Sequence, residues 1–190
     1  MTHFRTLCLL LTTLAAYNAQ ADERCTASSS QSTIDYGQLQ QQDLTPGEST
    51  FGTRSINWLA TGEQEVRLDI HCAQPEKVRL FFSGNSTHGK LFSFGEQGAV
   101  QVKLQEARID NRPVTLRHAA WGEAVSGGGS ETLNMGAEKN GVAFIDGGEA
   151  TGQHLTVTMH VRSYLSPEAF QVRDESVLEN LLTIAVRVVE

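Results

Sequence analysis

Apolar residues recur at every second position in most of the regularly patterned segments of this chain. The five clearest segments are 66–72, 78–82, 100–104, 155–161 and 182–188, and two shorter ones are 34–36 and 142–145. A period of two is what a β-strand with one buried face produces, and no segment shows a convincing 3.6-residue period of an amphipathic helix. Many short strands without alternating helices are typical of an antiparallel β-sandwich, which is the all-β fold class we expect.

Turn-forming residues separate these segments. We expect turns at Pro46-Gly47, Thr61-Gly62, Asp110 to Pro113 and Asp146 to Gly148. The Gly-rich stretch 126–130 predicts a flexible loop rather than a domain linker, because strand patterning continues on both sides of it. Residues 167–182 have room for one helical turn.

The chain is acidic. Its 190 residues carry 22 Asp and Glu against 15 Lys and Arg, which gives a formal net charge of -7. Binding to nucleic acid or to an anionic membrane surface needs clustered basic side chains, so this balance argues against both as main partners. Hydrophobic residues make up 39% of the chain, too many for a disordered protein and too few for a polytopic membrane protein.

The first 21 residues have the pattern of a secretory signal peptide. Arg5 precedes an apolar run from Leu7 to Ala16, and Ala19-Gln20-Ala21 supplies the small residues of a cleavage site. The apolar run is too short to span a bilayer, and no later stretch of the chain is long enough to do so. We therefore expect an exported protein in which residues 22–190 form a single domain.

The cysteines fit an exported protein. Cleavage after Ala21 removes Cys8 and leaves Cys25 and Cys72. An even pair in an exported protein predicts a disulfide, with two unpaired thiols as the competing interpretation, and a metal site would need further ligands. A bridge closing a loop of about 47 residues would stabilise the fold by about 4 kcal/mol in the chain-entropy model.

Several features suggest chemistry or ligand binding, and for each of them we favour a structural interpretation. Residues 84–90 match most of a phosphate-binding loop, but Leu91 stands where that motif needs Ser or Thr, and no helix pattern follows. His154 and His160 share a strand face but would lie about 20 Å apart, too far to bind one metal ion. Trp58 and Trp121 could stack on sugar rings, although a Trp in a sandwich is more often part of the core. We expect no catalytic residue, metal or cofactor.

One arrangement of residues is more specific than these motifs. It consists of Cys25, the stretch 33–39 (TIDYGQL), the stretch 44–47 (LTPG), and the strand 66–72 (VRLDIHC) that ends in the second Cys. This arrangement resembles the N-terminal half of chaperone–usher fimbrial subunits, the pilins. The stretch 73–80 (AQPEKVRL) is most similar to the pilin-like proteins of the DUF1120 type from Gram-negative bacteria. The resemblance covers roughly residues 25–82.

The resemblance implies an immunoglobulin-like sandwich that lacks one strand. The missing strand leaves an apolar groove, which a periplasmic chaperone fills first and a strand of a neighbouring subunit fills later. By position, one wall of this donor-strand groove would be formed by Leu182, Ile184, Val186 and Val188. The carboxylate of Glu190 would be the contact for the chaperone, and a Cys25–Cys72 bridge would fix the first strand to the second.

Two features depart from the pattern of a polymerising pilin. Val189 occupies a position near the C-terminus where many pilins have an aromatic residue. Only the charged residues Asp22, Glu23 and Arg24 stand between the expected cleavage site and Cys25, where such subunits carry an alternating apolar donor strand. We therefore expect a minor or tip subunit that accepts a strand but does not donate one.

These expectations define a set of partners and leave alternatives open. The partners would be the chaperone, an outer-membrane usher, other fimbrial subunits and possible surface receptors, with passage through the periplasm to the cell surface. The main alternative is a stand-alone periplasmic or secreted binding module for a sugar or peptide, with a complete sandwich and an exposed aromatic pocket. An exported enzyme would instead need a convergent cluster of His and carboxylate side chains in a cleft.

Overall fold

The structure is a computed structural model, and it describes residues 24–51, 54–87, 91–171 and 178–190. The predicted signal peptide and its cleavage site therefore lie outside the described residues. The strands in the described residues, in chain order, are β1 Cys25–Ser29, β2 Thr45–Phe51, β3 Arg54–Ala60, β4 Gln64–Ser83, β5 Ser86–Thr87, β6 Leu91–Ser93, β7 Gly98–Ile109, β8 Arg112–Pro113, β9 Thr115–His118, β10 Leu133–Met135, β11 Gly141–Ile145, β12 Thr151–Leu165 and β13 Thr183–Val189. Two short 3-10 helices span Gln41–Asp43 and Pro167–Phe170, and the second confirms the predicted helical turn.

Strand β4 connects the two layers of an antiparallel β-sandwich. Its first half pairs with β1 on one edge and with β12 on the other, and β12 continues to β7. Its second half pairs with β13 on one edge and with β11 on the other, and β11 continues to β9. The all-β fold class predicted from the alternation is confirmed.

The core lies between these layers. The alternating residues of β4 point inward along both halves, and Ile70, Leu80 and Phe82 are almost completely buried. They belong to one apolar cluster that also contains Leu155 of β12 and Phe144 of β11. Burying apolar side chains of this size stabilises a fold by about 1.5–3 kcal/mol for each side chain. The period-two pattern of the sequence therefore reflects this shared core.

The structure corrects the predicted division of β4. We expected separate strands at residues 66–72 and 78–82, but β4 runs through both without interruption. The register against β12 shifts between Gly152 and His154, which are opposite Glu76 and His71. Pro75 lies in this irregular stretch, where its missing N–H does not break a regular ladder.

Two further predictions about local structure are wrong. Pro46-Gly47 does not form a turn, because both residues lie in β2 and pair with Leu59 and Trp58 of β3. Residues 34–36 do not form a strand, and the chain is irregular there. Their alternating apolar side chains instead pack against the core.

The turns predicted at Asp110 to Pro113 and at Asp146 to Gly148 agree with the structure. Thr61-Gly62 lies in the short connection between β3 and β4, and Ser130 of the Gly-rich stretch 126–130 forms a β-bridge with Leu116. Asp110 and Asn111 have positive φ values of 47° and 65° and form the two-residue turn between β7 and β8. Two consecutive residues with positive φ match the right-handed twist of the flanking strands, and Asp and Asn tolerate this conformation. Gly147, with φ of 70°, supports the turn after β11.

Candidate functional site: an open seam between two sheet edges

Strands β1 and β13 lie on the same edge of β4. Thr151 of β12 and Val189 of β13 both pair with Lys77, so they flank β4 on opposite edges. Strand β1 also lies opposite β12 across β4, so it shares the edge of β13. Because the two halves of β4 belong to different layers, one edge of each layer opens on the same side of the sandwich.

We call the space between these edges the seam. One bank consists of β1 and the residues that follow it to Leu39, and the other consists of residues 178–182 and β13. Among the described residues, β13 forms strand pairs with β4 alone, and so does β1. Each bank therefore presents a strand edge toward the seam, and edges of this kind are templates for pairing with another chain.

An open cavity of about 1360 Å³ occupies the seam. Its floor is apolar and includes Leu68 of β4, Met159 and Val161 of β12, and Phe92 and Val100 of the neighbouring strands. Small-molecule pockets usually measure about 300–1,000 Å³, so this space is large for a small ligand. Its size and elongated banks fit an extended segment of polypeptide.

The predicted groove residues lie at this seam. Leu182 directly precedes β13, and Ile184, Val186 and Val188 follow at alternate positions on it. All four are partly buried against the core, and Leu182 and Ile184 also line the cavity. Their placement on one face follows from the period of two, while their role as the wall of a binding groove remains a proposal.

The predicted disulfide is present. Cys25 and Cys72 are bonded, with their Cα atoms 4.0 Å apart, and they occupy directly opposite positions on β1 and β4. The bridge fixes the start of the first bank to the middle of β4. The backbone N–H of Ala73 also donates to the carbonyl of Arg24, and Arg24 forms an ion pair of 3.8 Å with Glu76.

Glu190 directly follows β13 and is exposed. The preceding residue, Val189, pairs with Lys77 of β4, while β1 begins opposite Cys72. The end of the last strand and the start of the first therefore approach the same short stretch of β4. A contact between the Glu190 carboxylate and a partner remains a proposal.

The sequence did not reveal that residues 31–39 lie along the seam. Tyr36 reaches across to the floor, where its ring lies edge-on to Phe94 with centroids 6.1 Å apart. The hydroxyl of Ser163 on β12 donates to Tyr36 Oη at 3.4 Å. Ile34 and Leu39 of the same segment pack against the core. The alternation of Ile34 and Tyr36 is the sequence signal for this placement, although it predicts a paired strand rather than an irregular segment.

His71, His154 and His160 lie on the paired strands β4 and β12. His71 and His154 stack on the exposed face of β4 and β12 with ring centroids 4.1 Å apart, and His154 Nε2 is 3.4 Å from Asp69. His160 is buried, with Nδ1 2.9 Å from Glu63 Oε1. Among the described residues, no group of three or more His, Cys, Asp and Glu is arranged to hold a metal ion.

The other sequence motifs can be placed in part. Ser86 and Thr87 of the loop that resembled a phosphate-binding motif lie in β5, and its residues 88–90 lie outside the described residues. Trp58 is partly buried in β3. Trp121 is 69% exposed, with its ring 5.4 Å from Phe81 and under the guanidinium of Arg187. Within the described part of the chain, no helix is long and apolar enough to cross a membrane.

Comparisons with known proteins show a weak likeness of fold. No protein-family model matches the chain, so the narrower resemblance to the DUF1120 type stays a prediction. No curated protein matches it either. Among solved structures, the P pilus rod subunit PapA is similar, with a TM-score of 0.46 and 11% sequence identity over 87% of this chain and 99% of that chain. A likeness at this level carries no inference about residues or activity, and the proposals below rest on the geometry and sequence of this chain.

Proposed function

We propose that this chain is a pilin-like structural subunit whose seam accepts an extended strand from another chain. The single observation that carries the proposal is the open edge of β13 beside an apolar cavity. A strand added to an open edge gains main-chain hydrogen bonds, and its alternate side chains enter the space beneath. The sequence resemblance to fimbrial subunits over residues 25–82 supports the same function independently.

The proposal includes export and a set of partners. Residues 1–21 would be removed as a signal peptide, and residues 22–190 would form one domain in the periplasm and then at the cell surface. A chaperone would fill the seam first and bind the Glu190 carboxylate, and an usher and other subunits would follow. The segment before Cys25 carries Asp22, Glu23 and Arg24 and no apolar alternation, which supports a minor or tip subunit that accepts a strand without donating one.

The charge around the seam narrows the chemistry of the incoming strand. The floor is apolar, so the strand should carry Val, Ile, Leu or Phe at alternate positions. Asp35 on one bank and Glu179 on the other are exposed and acidic, and the whole chain has a net charge of -7. Lys or Arg at the ends of the incoming strand would complement the acidic side chains of the two banks and would increase the rate of association at low salt.

Binding of a synthetic strand to the purified chain tests this function. The probe is a labelled peptide of about ten residues, the upper range for a strand, with Val or Ile alternating with Ser or Thr and Lys at both ends. Fluorescence anisotropy should report saturable binding. The variant Ile184→Asp should bind at least about tenfold more weakly, because it places a charge in the apolar seam.

A matched variant controls for effects on stability. Thr183→Asp places the same charge one position earlier on β13, at an exposed side chain. We expect it to bind the peptide like the wild type, with both variants checked for folding by circular dichroism. Absence of binding by the folded wild type, or equal binding by both variants, would contradict the proposed function.

Trp121 supports a second candidate function, a site for stacking a sugar ring. Its side chain is 69% exposed, and the loop that carries it is held by hydrogen bonds from buried Arg79 to the carbonyls of Ala120 and Glu123. A fixed, exposed Trp ring is a suitable surface for a sugar. Quenching of Trp fluorescence by glycans, lost in Trp121→Ala, would support this function. The open seam favours the strand-accepting subunit, since a stand-alone module would need no free edge beside an apolar cavity.

A further inference from the structure

A second surface lies on the outward face of β13, opposite the face that packs against the core. Val186 and Val188 are partly buried against the core, so Arg187 between them points outward. The ring centroid of Trp121 lies 5.4 Å from that of Phe81 on β4 and 5.6 Å from Cζ of Arg187. The indole and the guanidinium therefore belong to one surface, and neither residue lines the cavity of the seam.

Two arginines lie side by side on this face. Arg79 of β4 and Arg187 of β13 are directly opposite each other, a position in which like charges repel. The carboxylate of Glu149 neutralises Arg79 through two hydrogen bonds of 2.6 and 2.9 Å. Among the described residues, Arg187 forms no ion pair, and its guanidinium contacts the ring of Trp121 instead. Within this part of the chain, the charge of Arg187 is therefore available to an external anion.

The loop that carries Trp121 is held on both sides of the ring. Arg79 donates hydrogen bonds to the carbonyls of Ala120 and Glu123, at 3.3 and 2.8 Å. Ala119 is buried, and its N–H donates to a backbone carbonyl of β11 at 3.0 Å. A ligand that stacks on a ring held in this way costs the protein little conformational freedom.

The positive charge of this face extends along the sheet. Arg117 of β9 is opposite Ala143 of β11, which is opposite Arg79, so one row of paired residues runs from Arg117 to Arg187. The whole chain has a net charge of -7 and repels anions at long range. Binding of an anion at this row would therefore depend on the local arginines rather than on the charge of the whole protein.

We propose that Trp121 and Arg187 bind an acidic sugar, a uronic acid, whose ring stacks on the indole and whose carboxylate pairs with the guanidinium. The exposed indole offers an aromatic face to the sugar ring. A guanidinium matches a carboxylate in geometry and can form two parallel hydrogen bonds with it. This inference rests on the second candidate function and names its ligand class, and it does not depend on strand capture at the seam.

An NMR titration of the Trp121 indole N–H tests the proposal with two probes, glucuronic acid and glucose. The two sugars have the same ring and differ in one group, a carboxylate in place of a hydroxymethyl. Trp121→Phe assigns the signal, because Trp58 is the other Trp of the chain. We expect saturable shifts with glucuronic acid and at least about fivefold weaker binding of glucose. Added salt should weaken the binding of glucuronic acid but not that of glucose.

Substitutions of Arg187 test the role of its charge. Arg187→Gln should lower the affinity for glucuronic acid by about fivefold or more, to that for glucose, and leave the affinity for glucose unchanged. Arg187→Lys keeps the charge and should retain a smaller preference for glucuronic acid, because an ammonium lacks the planar fork. Arg67→Gln is the matched control, since it removes the same charge from an exposed position in the first half of β4. It should bind both sugars like the wild type.

The outcomes separate this inference from the functions on which it builds. Equal binding of the two sugars by the wild type, or an unchanged preference in Arg187→Gln, would overturn the acidic-sugar site and leave stacking of neutral sugars in place. If neither sugar shifts the Trp121 signal, the second candidate function fails together with this inference. Capture of the alternating peptide at the seam is measured separately, so the strand-accepting function is decided by its own experiment.

Discussion

Arg79 and Glu149 form a buried, two-pronged ion pair. Nε of Arg79 lies 2.6 Å from Oε1 of Glu149, and Nη2 lies 2.9 Å from Oε2. Arg79 is 4% exposed, and its remaining donor group bonds the carbonyls of Ala120 and Glu123. The hydrogen bond with Glu149 and the charge of that carboxylate raise the pKa of Arg79 despite its burial. The pair therefore fixes the Trp121 loop to β4.

Removing one partner of this pair should be costly. Glu149→Ala leaves a buried guanidinium without its carboxylate, which typically costs about 3–5 kcal/mol. We expect a loss of this size in the free energy of unfolding measured by urea denaturation. Asp146→Ala removes the exposed partner of Arg112 and should change stability by about 0.5 kcal/mol or less. Losses of equal size in the two variants would contradict the structural role of Arg79.

We expect the Cys25–Cys72 disulfide to stabilise the folded state. Reduction of Cys25–Cys72, or the double variant Cys25→Ala/Cys72→Ala, should lower the free energy of unfolding by about 2–5 kcal/mol. The measurement is thermal or urea unfolding with and without dithiothreitol. The double variant should be insensitive to the reductant. Identical unfolding of the wild type with and without dithiothreitol would contradict a stabilising disulfide.

The lowered pKa of Glu63 predicts that the protein loses stability in acid. Burial acts to raise the pKa of Glu63, but the hydrogen bond from His160 and the charges of Lys103 and Arg162 lower it below its ordinary value. A carboxyl with a lowered folded-state pKa contributes stability above its unfolded pKa and loses that contribution as pH falls through the folded value. The free energy of unfolding should therefore decrease as the pH is lowered from about 5 to the lowered pKa of Glu63.

The variant Glu63→Gln isolates this contribution. We expect a shallower decline of stability below pH 5 than in the wild type, measured by urea denaturation across the pH range. Glu138→Gln, at an exposed position, should follow the wild-type curve. Parallel curves for the wild type and Glu63→Gln would show that the cluster around His160 does not contribute to acid sensitivity.

The alternation of apolar residues predicts most strands of this fold because burial acts locally on every second side chain. It does not reveal that β4 is one strand, since Pro75 and the polar residues around it resemble a turn. The alternating apolar residues before this stretch (Val66 to Cys72) and after it (Val78, Leu80 and Phe82) share even numbers, and this common phase is the sequence signal of a single strand. Pro46-Gly47 has turn composition, but pairing with Leu59 and Trp58 of β3 overrides that preference.

The seam depends on pairing between strands that are far apart in the chain, and local sequence patterns do not predict such pairing. The Cys25–Cys72 pair could be predicted from cysteine count and export, and the face of Ile184, Val186 and Val188 from their spacing. The position of β13 on the same edge of β4 as β1 depends on pairing between residues far apart in the chain. Tyr36 is a second example. Its ring is partly buried by contact with Phe94, and this burial does not require the backbone of Tyr36 to pair in a strand.

The most direct test of the strand-accepting edge is amide exchange along β13, resolved residue by residue by NMR, before and after addition of the alternating peptide. In the free chain, the amides of residues 183–189 that pair with β4 should already be protected, and the alternate amides should exchange rapidly. Insertion of a strand predicts that those alternate amides become protected as well. A peptide that leaves them unprotected at saturation, or a free chain in which all β13 amides are already protected, would contradict an open edge that receives another chain.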